Sequence, residues 1–264
     1  MLLGIIWGEK MKVALLQIEG TNCEEESFKA FKYFEQDIEY VHLNLLKHGK
    51  KKLEDYDILF IPGGFSAGDY VRAGAIFAAR LKAIAWKEIK KFVEDENKRI
   101  MGVCNGFQVL IELGLLPGTE GISDEPQAAL MTNDSNRFEC RWVYLKKERD
   151  SIFSKYVPEK ITLPVAHAEG KFFTTPKILE EIEENNQVIF RYISPDDERT
   201  KYPWNPNGSL NDIAALVNSY GNVMGIMPHP ERAFHWYQHP DWTRKRRKFG
   251  DGYYIFKSLI ESFA

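Results

Sequence analysis

Ile100–Gly114 reads IMGVCNGFQVLIELG. Ile100–Val103 is a short apolar run of the kind that forms a buried parallel strand. Asn105–Leu113 reads as a helix, stopped by Gly114 and then Pro117. Between them lies Gly102-Val103-Cys104-Asn105-Gly106, a nucleophile with a glycine two residues to either side. This is the form of a strand-to-helix elbow with cysteine in place of serine. So abrupt a turn strains the backbone at the nucleophile, and the glycines leave room for it. It presents the side chain at the carboxyl end of a strand, where open α/β sheets bind ligands. The partial positive charge at the following helix N-terminus favours thiolate over thiol. The Asn105 N–H points toward a developing oxyanion. Taken alone, the string suits a buried structural cysteine as well as it suits a nucleophile.

The surrounding chain alternates strand and helix. Lys12–Ile18, Ile38–Leu43 and Asp57–Ile61 read as further strands. Glu24–Glu35 carries Phe28, Phe31, Tyr33 and Phe34 at helical spacing, with Thr21 and Asn22 available as caps. Residues 75–96 read as a helix with interleaved charges. This β-α-β order predicts a doubly wound α/β sheet. In the second half, strands are expected at 137–145, 161–166, 187–193, 212–217 and 223–227, and helices at 176–185 and 252–263. No Ser/Gly-rich linker or repeat divides the chain, so the later strands are expected to extend the same sheet. Residues 232–250 lack periodicity and read as a surface excursion; within it the basic run Arg244–Lys248 could dock a partner or nucleic acid, or simply be solvated.

Composition narrows the function classes. The chain has 264 residues, 44% hydrophobic and 28% charged, with a formal net charge of −3. That balance suits a globular chain with a sizeable core and gives no support for nucleic-acid or membrane binding as a whole. Three cysteines, Cys23, Cys104 and Cys140, with no paired spacing argue for a reducing compartment, and a cytoplasmic location is expected. Cys23 and Cys140 are assigned to packing. The apolar run Leu2–Trp7 is too short for a secretory core, and no run approaches a membrane span of about 20 residues. Met11 begins a better strand, so residues 1–10 are read as an extension and 11–264 as one domain.

Three further strings can serve the cysteine. Val223–Met227 ends in Pro228-His229-Pro230-Glu231. In extended backbone, His229 and Glu231 would share a face, a base with an acid to orient it. Pro62-Gly63-Gly64-Phe65-Ser66-Ala67-Gly68-Asp69 follows the third strand. It lacks the Gly-Lys-Ser/Thr of a P-loop, so it is an oxyanion loop donating from Gly64 or an ordinary glycine turn. His167-Ala168-Glu169-Gly170 supplies a rival base, a substrate contact or part of a hydrogen-bond network. No metal-ligand spacing is visible.

GVCNGFQ, PGGF and PHPE together resemble class I (triad) glutamine amidotransferase domains. Seven ordered blocks, GTNCEEE, IPGGFSAGDYVRAGA, GVCNGFQVLIELGLLPG, RFECR, PVAHAEGKF, NGSLNDIAALVN and GNVMGIMPHPERA, resemble the family of glutaminase subunits of phosphoribosylformylglycinamidine synthases. The resemblance runs from about residue 11 to residue 233. It implies a single-domain flavodoxin-like fold, with a mostly parallel central sheet and helices on both faces. It implies a triad of Cys104, His229 and Glu231, and oxyanion donors on the Gly64 and Asn105 backbones. Glutamine contacts would fall on Gln108, one helical turn after Cys104, on Phe65, and on His167, Glu169 and Gly170. It implies no metal or cofactor in this chain, with ATP and Mg used by a synthetase partner that takes up ammonia, often beside a small accessory subunit. The leader 1–10 and a long 233–250 segment depart from the family pattern. Three alternatives remain at this point: a cysteine hydrolase or deglycase of the DJ-1/PfpI type, a different class I amidotransferase, and a non-catalytic subunit keeping the fold.

Overall fold

The computed structural model describes residues 10–69, 72–196 and 198–262. The leader therefore lies outside the described residues except for Lys10. The first half runs β1 (Lys12–Gln17), α1 (Glu24–Tyr33), β2 (Asp37–His42), the short α2 (Leu43–Lys47), β3 (Ile58–Ile61), α3 (Ala75–Glu94), β4 (Arg99–Val103) and α4 (Asn105–Glu112). The second half runs β5 (Ala128–Thr132), β6 (Glu139–Lys147), β7 (Lys160–His167), β8 (Glu169–Thr174), α5 (Pro176–Glu184), β9 (Val188–Ile193), β10 (Ile213–Val217), β11 (Val223–Ile226) and α6 (Asp251–Glu261).

Nine strands form one sheet in the order β2-β1-β3-β4-β11-β10-β9-β6-β7. The first five pair in parallel, an order of flavodoxin type with β11 in the fifth place. The last four extend the sheet by antiparallel pairing, as expected of strands that return within one domain. β3, β4 and β9 are buried along their whole length, which is why they read as continuous apolar runs rather than alternating ones. Helices cover both faces. Phe60 of β3 points to α1 and α6, where it meets Phe31 at 5.3 Å and Phe256 at 5.9 Å. Its neighbour Ile61 faces the other way, against α4.

Several local expectations are corrected. Neither Thr21 nor Asn22 caps α1. Thr21 Oγ1 accepts from the Ile18 N–H at 3.2 Å while its backbone bridges Gly64, so Cys23 takes the cap position without a side-chain bond. Glu24, Glu25 and Glu26 complement the helix dipole instead. Cys140 is exposed on β6, not packed. The surface excursion begins later than expected: Ala233 and Phe234 are buried, and Phe234 meets Phe34 and Phe256 edge-on. The excursion closes where the Gly250 N–H bonds to the Phe234 carbonyl at 3.0 Å. Between them Arg244, Lys245 and Arg246 are exposed, and Arg247 pairs with Asp241. β5 and β8 form a separate two-stranded sheet that the sequence did not reveal. No helix among the described residues is long and apolar enough to cross a membrane.

Phe31 joins α1, β3 and α6 in one fully buried contact. Phe31→Ala should therefore cost about 3–5 kcal/mol in urea unfolding. A loss below about 1 kcal/mol would show that this junction does not hold the fold.

Candidate active site

Three neighbouring parallel strands, β3, β4 and β11, end side by side. Each hands over to one part of the site: Gly63-Gly64 after β3, Cys104 after β4 and His229 just after β11. Neighbouring strands lie about 4.8 Å apart, so residues distant in sequence must meet at these ends. A methyl group built on Gly63 would lie 2.7 Å from His229 Cε1, 3.3 Å from Cys23 Sγ and 3.4 Å from Cys104 Cβ. The nucleophile candidate and the base candidate thus flank the same α-carbon.

Cys104 has φ 51° and ψ −103°, a left-handed, strained conformation for a side-chain-bearing residue. Its N–H bonds to the Ile226 carbonyl at 2.7 Å, which carries the β4–β11 pairing to the last residue before the helix. Any side chain at Gly106 would drive a Cβ to 2.0 Å from the Ile61 carbonyl, so α4 can start this close to β3 only with glycine there. Cys104 is 6% exposed. Asn105 opens α4, so its N–H is one of the orphan donors of a helix start. Gly64 has φ +143°, and a Cβ there would meet the Asn22 backbone N at 2.8 Å. Neither N–H has a protein acceptor among the described residues. Oxyanion donors at Gly64 and Asn105 would require such unpaired N–H groups.

His229 and Glu231 pair at 2.5 Å through Nδ1 and Oε1, and both are almost completely buried. They do not share the face of an extended strand as the sequence suggested. His229 is extended, but residues 230–233 form a 3₁₀ turn, with Pro230 at its first position, which folds Glu231 back onto the ring. The His229 N–H is tied to the Pro164 carbonyl of β7 at 2.8 Å. Burial alone would push the imidazole pKa down. The Glu231 carboxylate and the Cys104 sulfur outweigh burial and hold it well above the usual value, at about 10. Nε2 is buried without a well-formed hydrogen bond among the described residues. The Cys104 sulfur acts on the ring through its charge.

Of the remaining expected residues, Gln108 and Glu169 join one polar chain, His167 and Gly170 meet on Asn133, and Phe65 lies outside both. The Asn105 side chain accepts from Ser66 Oγ and donates to Gln108 Oε1 at 2.8 Å. Gln108 Nε2 donates to the Glu169 carbonyl at 2.6 Å. Glu169 Oε2 accepts from the Ala73 N–H at 3.0 Å. His167 is buried, with Nδ1 3.2 Å from Asn133 Oδ1, and the Gly170 N–H donates to the same oxygen at 3.1 Å. Burial, and then the charge of His229, press the His167 pKa down to about 3, so it stays neutral. Its Nδ1 contact with Asn133 places it in the buried hydrogen-bond network. Phe65 is exposed and rests against Phe138 at 6.3 Å.

A model of the CobB/CobQ-like glutamine amidotransferase domain matches residues 10–263. The phosphoribosylformylglycinamidine synthase subunit PurQ of Archaeoglobus fulgidus is 46% identical, covering 96% of this chain and 97% of its own. The chain belongs to the PurQ family. PurQ of Picrophilus torridus is also 46% identical, covering 96% of this chain and 99% of its own. Among solved structures, PurLQS from Thermotoga maritima contains a chain 32% identical with a TM-score of 0.71, matched over 96% of this chain and 99% of that one. A glutamine amidotransferase from Thermotoga maritima shares the fold, at 17% identity and a TM-score of 0.51, over 88% of this chain and 80% of that one.

One neighbour of the site in this PurQ-family chain escaped sequence reading. Cys23 is buried, as expected, but Cys23 Sγ, a His229 ring nitrogen and a Glu231 oxygen all lie within 4.8 Å of one another. The donor set would suit a soft cation. Arg232 opposes that use, since its Nη2 donates to Cys23 Sγ at 3.0 Å and brings a positive charge. Burial and the Glu231 charge push the Cys23 thiol up, so it remains protonated. The only sequence signal was its position in GTNC, one turn after β1.

The raised His229 pKa has a stability consequence with a definite sign. The imidazolium contributes fully below about pH 6.5, where the unfolded chain is also protonated, and the contribution is lost as pH rises toward 10. Glu231→Gln should therefore be most destabilising near pH 6, with the gap to wild type narrowing up to pH 10 in a denaturant series. A gap that stays constant over that range would show that His229 is not held charged.

Proposed function

We propose that this chain hydrolyses glutamine to glutamate and ammonia through a thioester on Cys104, as the glutaminase subunit of phosphoribosylformylglycinamidine synthase. The observation that carries the reading is the buried His229–Glu231 pair set against a cysteine held in strained backbone at a helix start. The Cys104 thiolate attacks the side-chain amide carbon of glutamine, and the oxyanion is received by the Gly64 and Asn105 N–H groups. The His229 imidazolium gives its proton to the departing nitrogen, which leaves as ammonia. The now neutral imidazole takes a proton from water as that water attacks the thioester, releasing glutamate and restoring thiolate and imidazolium. Nucleophile, acid–base and oxyanion donors all come from this chain, so each step is accounted for without a metal or cofactor. The remaining contacts to glutamine are assigned to Phe65, Gln108 and the 167–170 segment.

Ammonia is a useful product only where it escapes protonation and reaches an acceptor. The burial of Cys104 and His229 supports release into an enclosed path rather than into solvent. The acceptor would be a PurL-type synthetase subunit, which would use ATP and Mg to make formylglycinamidine ribonucleotide. A third, smaller subunit would complete the assembly, as the name PurLQS indicates for the Thermotoga maritima complex. A cytoplasmic location fits that role. The DJ-1/PfpI alternative does not account for a dyad placed after β11.

A diazoketone analogue of glutamine should label Cys104, as read by peptide mass, and Cys104→Ala should abolish labelling and lower glutamine turnover at least about 10³-fold. Label on another residue, or persistent turnover, would refute the assignment. Turnover by the isolated chain should be weak and should rise on adding the synthetase subunit. Full activity of the chain alone would contradict dependence on a partner.

A further inference from the structure

The segment Ser66–Asp69 is the least relaxed stretch of backbone around the site. Ala67 (φ 51°), Gly68 (φ 70°) and Asp69 (φ 52°) are all left-handed in succession. Side-chain-bearing residues adopt that conformation only at a cost, so the run persists only where its surroundings hold it. Backbone bonds hold its outer side: the Ala67 N–H reaches the Glu19 carbonyl at 2.8 Å, and the Phe65 N–H reaches the Gly20 carbonyl at 3.1 Å. On the inner side, the side chain of Asn105 supplies the hold. Its Oδ1 accepts from Ser66 Oγ at one end of the run, and its Nδ2 faces Asp69 Oδ1 at 3.4 Å at the other.

We propose that the Asn105 side chain is a positioning residue for the reaction: it clamps the left-handed loop to the nucleophile turn and so fixes the spacing of the two oxyanion donors. The proposal rests on the glutaminase reading above and adds a role for a side chain whose backbone alone that reading uses. The logic is geometric. One donor, the Gly64 N–H, lies two residues before Ser66. The other is the backbone N–H of Asn105 itself. The bond from Ser66 to the Asn105 side chain therefore links the two donors by a short path, through the Gly64–Ser66 backbone on one side and a single side chain on the other. Asn105 is 2% exposed, so the bond to Ser66 does not compete with bulk water. The same amide reaches Gln108, which in turn holds the Glu169 carbonyl, so the clamp extends to the 167–170 segment on the opposite wall. Misplaced donors weaken transition-state stabilisation more than substrate binding, because the oxyanion exists only after attack.

The test compares wild type, Asn105→Ala, Ser66→Ala and the double variant, each assembled with the synthetase subunit. Asn105→Ala should lower kcat for glutamine by about 10- to 100-fold, less than outright loss of an oxyanion donor, while KM changes less than about threefold. Alkylation of Cys104 by iodoacetamide, which needs no oxyanion hole, should change less than about twofold. The double variant should be no worse than Asn105→Ala alone, because both substitutions break one clamp. An unchanged kcat, a parallel fall in alkylation, or additive losses would overturn the proposal. A wild-type assembly that does not turn glutamine over overturns this proposal together with the glutaminase reading. An active wild type with any of the three adverse results overturns this proposal alone.

Discussion

Parallel hydrogen bonding between β4 and β11, Gly102 against Gly225 and Val103 against Ile226, is the constraint on which the site depends. It brings the end of one strand beside the end of another encoded more than a hundred residues later. The Cys104 N–H to Ile226 carbonyl bond continues that pairing one residue further. From there the two chains diverge, one into α4 and the other through Pro228 into the His229 turn. With β3 on the far side of β4, the glycine loop completes the group. The nucleophile turn, the glycine loop and the His229–Glu231 pair, far apart in sequence, thus meet at the carboxyl ends of three central strands.

The electrostatics follow from that packing. A histidine as buried as His229 would ordinarily be neutral, since desolvation disfavours its charge. Here a carboxylate at 2.5 Å and the sulfur of Cys104 reverse the balance. Buried charge is tolerated only where it is paired, and the imidazolium held against the Glu231 carboxylate is such a case. His167 shows the opposite result in the same environment: it has an amide for a partner instead of a carboxylate, feels the charge of His229, and is held neutral. Two imidazoles that feel each other's charge therefore take different protonation states.

Much of this was legible in the sequence because it is written in local rules. The GxCxG elbow and the apolar runs of β3 and β4 each force a conformation with few alternatives, whereas the prolines around His229 marked a turn without showing that it folds Glu231 back onto the ring. Membership of the PurQ family bears out the reading carried by the seven motif blocks. What the sequence left hidden depends on tertiary partners. β5 and β8 form a small two-stranded sheet apart from the main one, and Ala128–Thr132 has no fully buried residue to mark it. The cap of α1 went astray because Thr21 was taken up by the loop that bridges Gly64. Cys23 looked like packing because nothing in GTNC reveals that the strand order will set it beside His229. Asn105 looked like a backbone donor because the partner of its side chain, Ser66, belongs to another loop.

Cys104 and the His229–Glu231 pair form a single electrostatic unit. Nitrogen-15 NMR of ring-labelled histidine, titrated in wild type and in Cys104→Ala, addresses it directly. The His229 ring should stay imidazolium well above neutral pH, and its midpoint should fall when the sulfur is removed. A ring titrating near the ordinary pH of 6.5, with the same midpoint in both proteins, would contradict it.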